Sequence, residues 1–207
     1  FGIAFIGLLL SVLVKPRRGW GRALGALLVP ALALGFVVSV MGKAKTIPPI
    51  HDIATNIQDP PQYSPAVLAA RAAIGGGNPV TSMTEPVAML KGKSVGEVGK
   101  AANPDIEALT LAMPVAAATQ LAAGAAKAQG LKVTKVDAAG GAVEAIAESF
   151  WFGFRDDVAI RVRPGAAGAS VVDVRSTSRV GVSDLGANAK RVRALLAEIK
   201  ARAPAGK

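Results

Sequence analysis

Between Asp156 and Arg163 every second residue is aliphatic, so that Val158, Ile160 and Val162 alternate with Ala159, Arg161 and Arg163. A period of two places those three residues on one face of a strand. Val172 and Val174 repeat the pattern after the turn-forming run PGAAG. The two strands form a hairpin whose apolar faces must coincide, because a slip of one residue turns one of them to the opposite side. A register with Ile160 opposite Val172 meets that condition and sets Arg161 diagonal to Asp173 on the outer face, where an exposed ion pair contributes about 0.2–1 kcal/mol.

The neighbouring stretches extend the hairpin into a domain. LKVTKVD (131–137) reads as a strand, AAGG as its turn, and AVEAIAESFWF (142–152) as the next strand. The apolar parity of that strand changes around Ile146 to Phe150, which predicts a bulge there. Pro114 and Gly130 bracket an alanine-rich helix. Ser183 or Asp184 is positioned to cap a last helix, LGANAKRVRALLAEIKARA, with Leu185, Val192, Leu196 and Ile199 as its apolar stripe. Helix, four antiparallel strands, helix predicts an α+β layer of the helix-grip-like kind, with both helices on one face of the sheet.

Ahead of this core, KTIPPIHDIATNIQDPPQYSP holds two Pro-Pro pairs and reads as an extended strap over residues 44–63. Ser64 and Pro65 then start a short helix, PAVLAARAAI, that the glycines after it stop. Residues 78–113 show scattered turn signals and no sustained period apart from a short strand expected over Ala108 to Ala112, the mark of a binding loop or mobile segment. The soluble domain is expected over 64–207.

Residues 1–43 are of another kind. Phe1–Val14 and Ala23–Met41 are uncharged apolar runs separated by KPRRGWGR. As a helix the second run is roughly 28 Å long, close to the hydrocarbon thickness of a bilayer. The first reads as the back half of a transmembrane helix, giving a membrane hairpin. Lys15, Arg17, Arg18 and Arg22 in the short linker favour the cytoplasmic side for it, which sends the rest of the chain to the periplasmic face of a bacterial inner membrane. A cleaved signal peptide fits less well, since the run is long and GKAKT offers no small-x-small site. Five of the 24 basic residues lie before position 44, and the 19 that remain exceed the 14 acids by five. A basic domain beside a membrane favours anionic headgroups. Nucleic acid is not expected on that side of the membrane. With no cysteine there is no disulfide, thiol chemistry or thiolate metal site.

Three stretches together, IPPIHDIATNIQDPP, FWFGFRDDVAIRVRP and VRSTSRVGVSDLGANAKRVRALL, resemble domain of unknown function family 1499, a bacterial and plant domain often found after transmembrane helices. The similarity runs from about Ile47 to Ile199 and is weakest over Gly75 to Lys100. It implies a single domain, with no catalytic residue, cofactor or ligand attached to it.

Candidate chemistry is sparse. His51 with Asp52 offers a proton-transfer unit if it meets Asp156 or Asp157, although pinning the strap through backbone hydrogen bonds is the simpler use. No cofactor is expected. A metal is not expected either, because one imidazole and no thiolate leave only a carboxylate site at Asp156, Asp157 and Asp184. Adjacent strand residues face opposite ways, so one acid of the Arg155-Asp156-Asp157 run faces solvent while the other meets Arg175, Arg179 or the start of the last helix. Ser176 to Arg179 and Asp184 could receive an anion, but capping by Asp184 competes with that use. Phe150, Trp151, Phe152 and Phe154 are expected mainly in the core, an exposed Trp151 being the sign of a partner or lipid interface. The residues expected to act are therefore His51, Asp52, Trp151, Arg155, Asp156, Asp157, Arg179 and Asp184. Their expected use is in a membrane-anchored accessory domain that binds a membrane protein, a larger complex or an envelope component. Lipid or amphiphile binding, and a hydrolase or transferase built on His51, are the alternatives.

Overall fold

In the computed structural model, which describes residues 2–13 and 20–204, the chain divides into two units, residues 1–47 and 48–207. The first unit holds α1 (Gly2–Leu13) and α2 (Trp20–Thr46), which contact each other. Among the described residues no helix is long and apolar enough to cross a membrane. The linker residues Lys15, Arg17 and Arg18, on which the expected orientation rests, lie outside the described residues.

The second unit is built on one antiparallel sheet. Its strands are β1 (Asp52–Ala54), β2 (Leu109–Leu111), β3 (Lys132–Asp137), β4 (Ala142–Glu148), β5 (Arg155–Pro164) and β6 (Ser170–Ser178). The expected meander is present as β3-β4-β5-β6, but the sheet has six strands rather than four, because β1 and β2 both pair with β6 along its outer edge. Asp52 lies opposite Thr177, and Leu109 opposite Val172. β1, from the segment read as strap, and β2, within the short strand expected over Ala108 to Ala112, thus close the edge that a four-stranded meander would leave open. The other edge, β3, is largely exposed and carries Lys132 and Lys135, a charged rim that discourages further pairing.

The hairpin register differs from the expected one by two residues. Ile160 pairs with Val174, Val162 with Val172, and Arg161 lies directly opposite Asp173. A shift of two keeps every side chain on its face, so the apolar pattern permits both registers. The bulge also moves: it falls between Val133 and Lys135, while β4 and β5 pair without a break from Ala142↔Arg161 to Glu148↔Arg155.

The helices are α3 (Pro65–Ala72), α4 (Val95–Ala102), α5 (Val115–Ala128) and α6 (Ala187–Arg202). Helices α5 and α6 cover one face of the sheet and meet Val143, Val158, Ile160, Val162, Val172 and Val174 with their own buried faces. Alanines 118, 122, 125 and 126 let α5 approach closely, and α6 contributes Ala189, Val192, Leu195 and Ile199. Of the expected stripe, Val192 and Ile199 are buried, Leu196 is only partly buried beside Leu195, which is fully buried, and Leu185 precedes the helix and is half exposed. Asp184 still caps at a distance, accepting bonds from the backbone N–H of Gly186 (2.7 Å) and Asn188 (2.9 Å). The segment 78–113 is ordered around α4, which starts in a capping box: Ser94 Oγ accepts from the Glu97 N–H, and the Glu97 carboxylate accepts from the Ser94 N–H. Gly96 lets this helix touch its neighbour, since a Cβ there would lie 2.4 Å from the Met83 carbonyl. Among the described residues the hydrophobic core cluster is made of residues from the second unit, so 48–207 has its own core, as expected of a domain able to fold alone.

Candidate functional site

Opposite the apolar core, the second face of the sheet is charged, and its Asp157, Asp173, Arg175 and Thr177 are nevertheless buried. It presents Asp157, Arg161 and Arg163 from β5 and Asp173, Arg175 and Thr177 from β6, continued by Arg179 just beyond the strand. The strap and α3 lie over this face. Asp157, 1 % exposed, receives Arg179 Nε and Nη2 (2.9 and 2.6 Å) and Arg71 Nη1 from α3 (2.7 Å). Asp52 in β1 receives Arg175 Nε (3.1 Å), Arg175 Nη2 (2.7 Å) and the Thr177 hydroxyl (2.7 Å). Tyr63, from the strap, directs its hydroxyl at Thr177 Oγ1 (2.8 Å) and the Asp157 carbonyl (3.0 Å). Burial pushes the phenol pKa far above its usual range, and the nearby Asp52 charge adds to that. Ser64 gives its N–H and hydroxyl to Glu144. Asp173 is fully buried between Arg161 (3.1 Å) and Arg163 (2.7 Å), so the acid of the pair expected at the surface is covered while its guanidinium partners stay partly exposed. Burial of this many charges is tolerable because each carboxylate is met by guanidinium groups and hydroxyls of fitting geometry.

These contacts fix what the acids can do. Asp52 and Asp157 fall in one row with Thr177 between them, but each is neutralised by arginine and closed off from water. Asp156 faces the helix side, where Arg191 of α6 holds it at 2.7 Å. His51 leans toward the Val182 carbonyl, its Nδ1 at 3.4 Å, while its own carbonyl accepts the Ser178 N–H and the Asn188 side-chain amide. Because Ser178 lies between them in the sheet, two strand spacings, roughly 10 Å, separate the His51 and Asp156 backbones. The structure therefore brings neither Asp156 nor Asp157 to His51. Among the described residues no group of three or more His, Asp and Glu is arranged to hold a metal ion.

The aromatic run corrects the sequence reading most. Strand β4 ends at Glu148 and β5 begins at Arg155, so Phe150 to Phe154 form the tip of a hairpin rather than part of a strand. Phe150, Trp151, Phe152 and Phe154 are 89, 84, 76 and 56 % exposed. The tip is a closed four-residue loop. Ser149 N–H bonds to the Phe154 carbonyl (2.8 Å), Gly153 N–H to the Ser149 carbonyl (3.0 Å), and Gly153 takes the left-handed conformation that the turn needs. At its neck Arg155 and Glu148 form an exposed ion pair at 3.0 Å. The rings pack in pairs: Phe150 meets Trp151 edge to face at 5.1 Å, and Phe152 stacks on Phe154 at 5.6 Å. Four of the five aromatics after position 43 thus stand in water at one point of a basic domain.

Beside the tip lies a groove of about 490 Å³ between this hairpin and the loop joining β6 to α6, lined in part by Phe154, Val180, Leu185, Asp156 and Arg191. Sequence reasoning had no separate signal for Leu185 or Arg191 as groove residues, since both sit in what reads as one amphipathic helix. Arg71 and Tyr63 were equally hidden, because nothing local to the strap or α3 shows that they cover charges some 100 positions away. No curated protein matches the chain. A family model described as "Protein of unknown function (DUF1499)" matches residues 52–199, which takes in every strand of the sheet and most of α6. The chain therefore belongs to the DUF1499 family.

Proposed function

We propose that this protein is a non-catalytic accessory domain, anchored by its N-terminal helices in a bacterial inner membrane and resting on the periplasmic surface of the bilayer through the 150–154 tip. The exposure of the tip carries this reading. A convex loop of four aromatics needs a complementary cavity to dock on a folded protein, whereas a bilayer interface accepts it without one. Trp favours that depth, where its ring meets headgroups, and Phe buries apolar area just beneath it. Moving one such side chain out of water contributes about 1.5–3 kcal/mol. That is weak alone but sufficient when an anchor holds the domain beside the membrane. The net positive charge of the domain acts in the same direction on an anionic surface.

The anchor is supported by α2. Leu28, Val29, Leu32, Leu34, Phe36 and Val38 are each at least half exposed, and so many exposed apolar side chains on one helix suit lipid better than water. Structural pairing of Asp52, Asp156 and Asp157 with arginines supports an accessory role over acid/base chemistry. The test uses the full chain with Trp20→Phe, which leaves Trp151 as the sole tryptophan, reconstituted in vesicles of brominated phospholipid. Quenching of Trp151 emission by bromines near the headgroups is expected. Unquenched emission typical of water, or quenching that vanishes on protection by a co-purified protein, would overturn the bilayer contact in favour of a protein partner.

A further inference from the structure

Between the strap and the loop ahead of α4, a pocket of about 260 Å³ reaches in to Arg175. That volume lies just under the roughly 300–1,000 Å³ usual for small-molecule sites, so it suits one compact unit. Arg175 is 1 % exposed. Its Nε and Nη2 donate to the Asp52 carboxylate, and Nη2 also donates to the Thr81 carbonyl at 3.0 Å. Nη1 has no acceptor among the described residues, so its two N–H groups are what the guanidinium offers the pocket. A buried N–H left without an acceptor is costly, which makes an oxygen at that point the first requirement of an occupant.

The rest of the lining selects which oxygen. Asp52 already neutralises Arg175, and among the described residues no other charged side chain lines the pocket. A carboxylate or phosphate would therefore set an uncompensated charge against a buried ion pair. The remaining polar groups are neutral: Gln58 and Gln62 from the strap, and Thr81, Ser82 and Thr84 from the loop. Carboxamides and hydroxyls both donate and accept. The side chains of Gln58 and Thr81 have no partner among the described residues, while Ser82 Oγ accepts the N–H groups of Thr84 and Glu85 at 3.2 Å and holds the loop in shape. An uncharged, compact ligand whose own groups donate as well as accept complements this set, and a sugar ring is such a ligand.

We infer that this pocket binds one neutral sugar unit, with a sugar oxygen accepting from Arg175 Nη1 and the strap and loop side chains meeting its hydroxyls. The inference does not depend on the bilayer contact. Its test uses the full chain in a zwitterionic detergent that carries no sugar. The chain is titrated with glucose, galactose and N-acetylglucosamine, with glucuronate as a matched anion and N-methylacetamide as a lone carbonyl. NMR shifts of the Arg175 Nη groups and the Gln58 side-chain amide are followed. At least one of the three sugars is expected to bind saturably, about fivefold or more tighter than glucuronate and N-methylacetamide. Gln58→Ala and Thr81→Val change exposed side chains, and the second keeps the carbonyl that Arg175 uses. Each should leave the melting temperature unchanged and weaken sugar binding by about threefold or more. Saturation by none of the sugars, glucuronate or N-methylacetamide bound as tightly as they are, or unchanged affinity in both variants would overturn the assignment.

Discussion

Arg175 and Asp52 form a two-pronged ion pair, Nε to Oδ1 at 3.1 Å and Nη2 to Oδ2 at 2.7 Å, with the two side chains 1 and 2 % exposed. One partner comes from β6 and the other from the three-residue strand β1, so the pair fastens the start of the strap to the sheet. Burial lowers the guanidinium pKa, but the hydrogen bond to Asp52 and its charge outweigh that and leave it raised. Asp52→Ala strands a buried guanidinium, and the expected loss is about 3–5 kcal/mol, read as a drop in the urea midpoint of 48–207. A catalytic Asp52 would instead leave stability intact when changed.

The capping box of α4 makes a smaller and local prediction. Ser94 is 1 % exposed and its hydroxyl accepts the Glu97 N–H at 3.1 Å. Ser94→Ala should cost about 0.5–2 kcal/mol and raise amide exchange in 95–102 more than in α5.

Substitution at the tip should do almost nothing to the fold. Phe150 is 89 % exposed, so Phe150→Ser is expected to change stability by less than about 0.5 kcal/mol. The core location expected from sequence would cost about 3–5 kcal/mol on truncation, and equilibrium denaturation separates the two outcomes.

The pair between Asp105 and Arg193 sets a pH dependence. The hydrogen bond from Arg193 holds the Asp105 carboxyl at about 2, against an ordinary value of 3.8. A folded-state pKa below the unfolded one means that the contribution is complete above about pH 3.8 and is lost as pH falls through about 2. Carboxyl NMR titration of 48–207 should find that low midpoint, and Arg193→Ala should return it toward 3.8. A midpoint unmoved by the substitution would show that Arg193 is not its cause.

Much of the helix-facing half of the domain was legible. The alternation of Val158, Ile160 and Val162 assigns their face, Pro114 and Gly130 bound a helix that the structure has as Val115–Ala128, and the short strand expected over 108–112 is β2. The S-x-x-E signature at Ser94 was present in the sequence and would have found α4. The candidate site was legible in part: Trp151 is exposed, but so are its three aromatic neighbours, and Leu185 and Arg191 carry no local mark of lining a groove.

What the sequence by itself determined is therefore the parity of each strand and the presence of an α+β domain, because period two and helix-end chemistry are local properties of the chain. Tertiary structure alone decided three things. The register between β5 and β6 could shift by two without moving any side chain off its face. The charges on Asp157, Asp173 and Arg175 alternate identically whether water or the strap covers them, and only the docking of Tyr63, Ser64 and Arg71 makes that face an interior. The aromatics left the core because pairing between β4 and β5 stops at Glu148 and Arg155, and the residues of the turn beyond that point have no sheet face to alternate across.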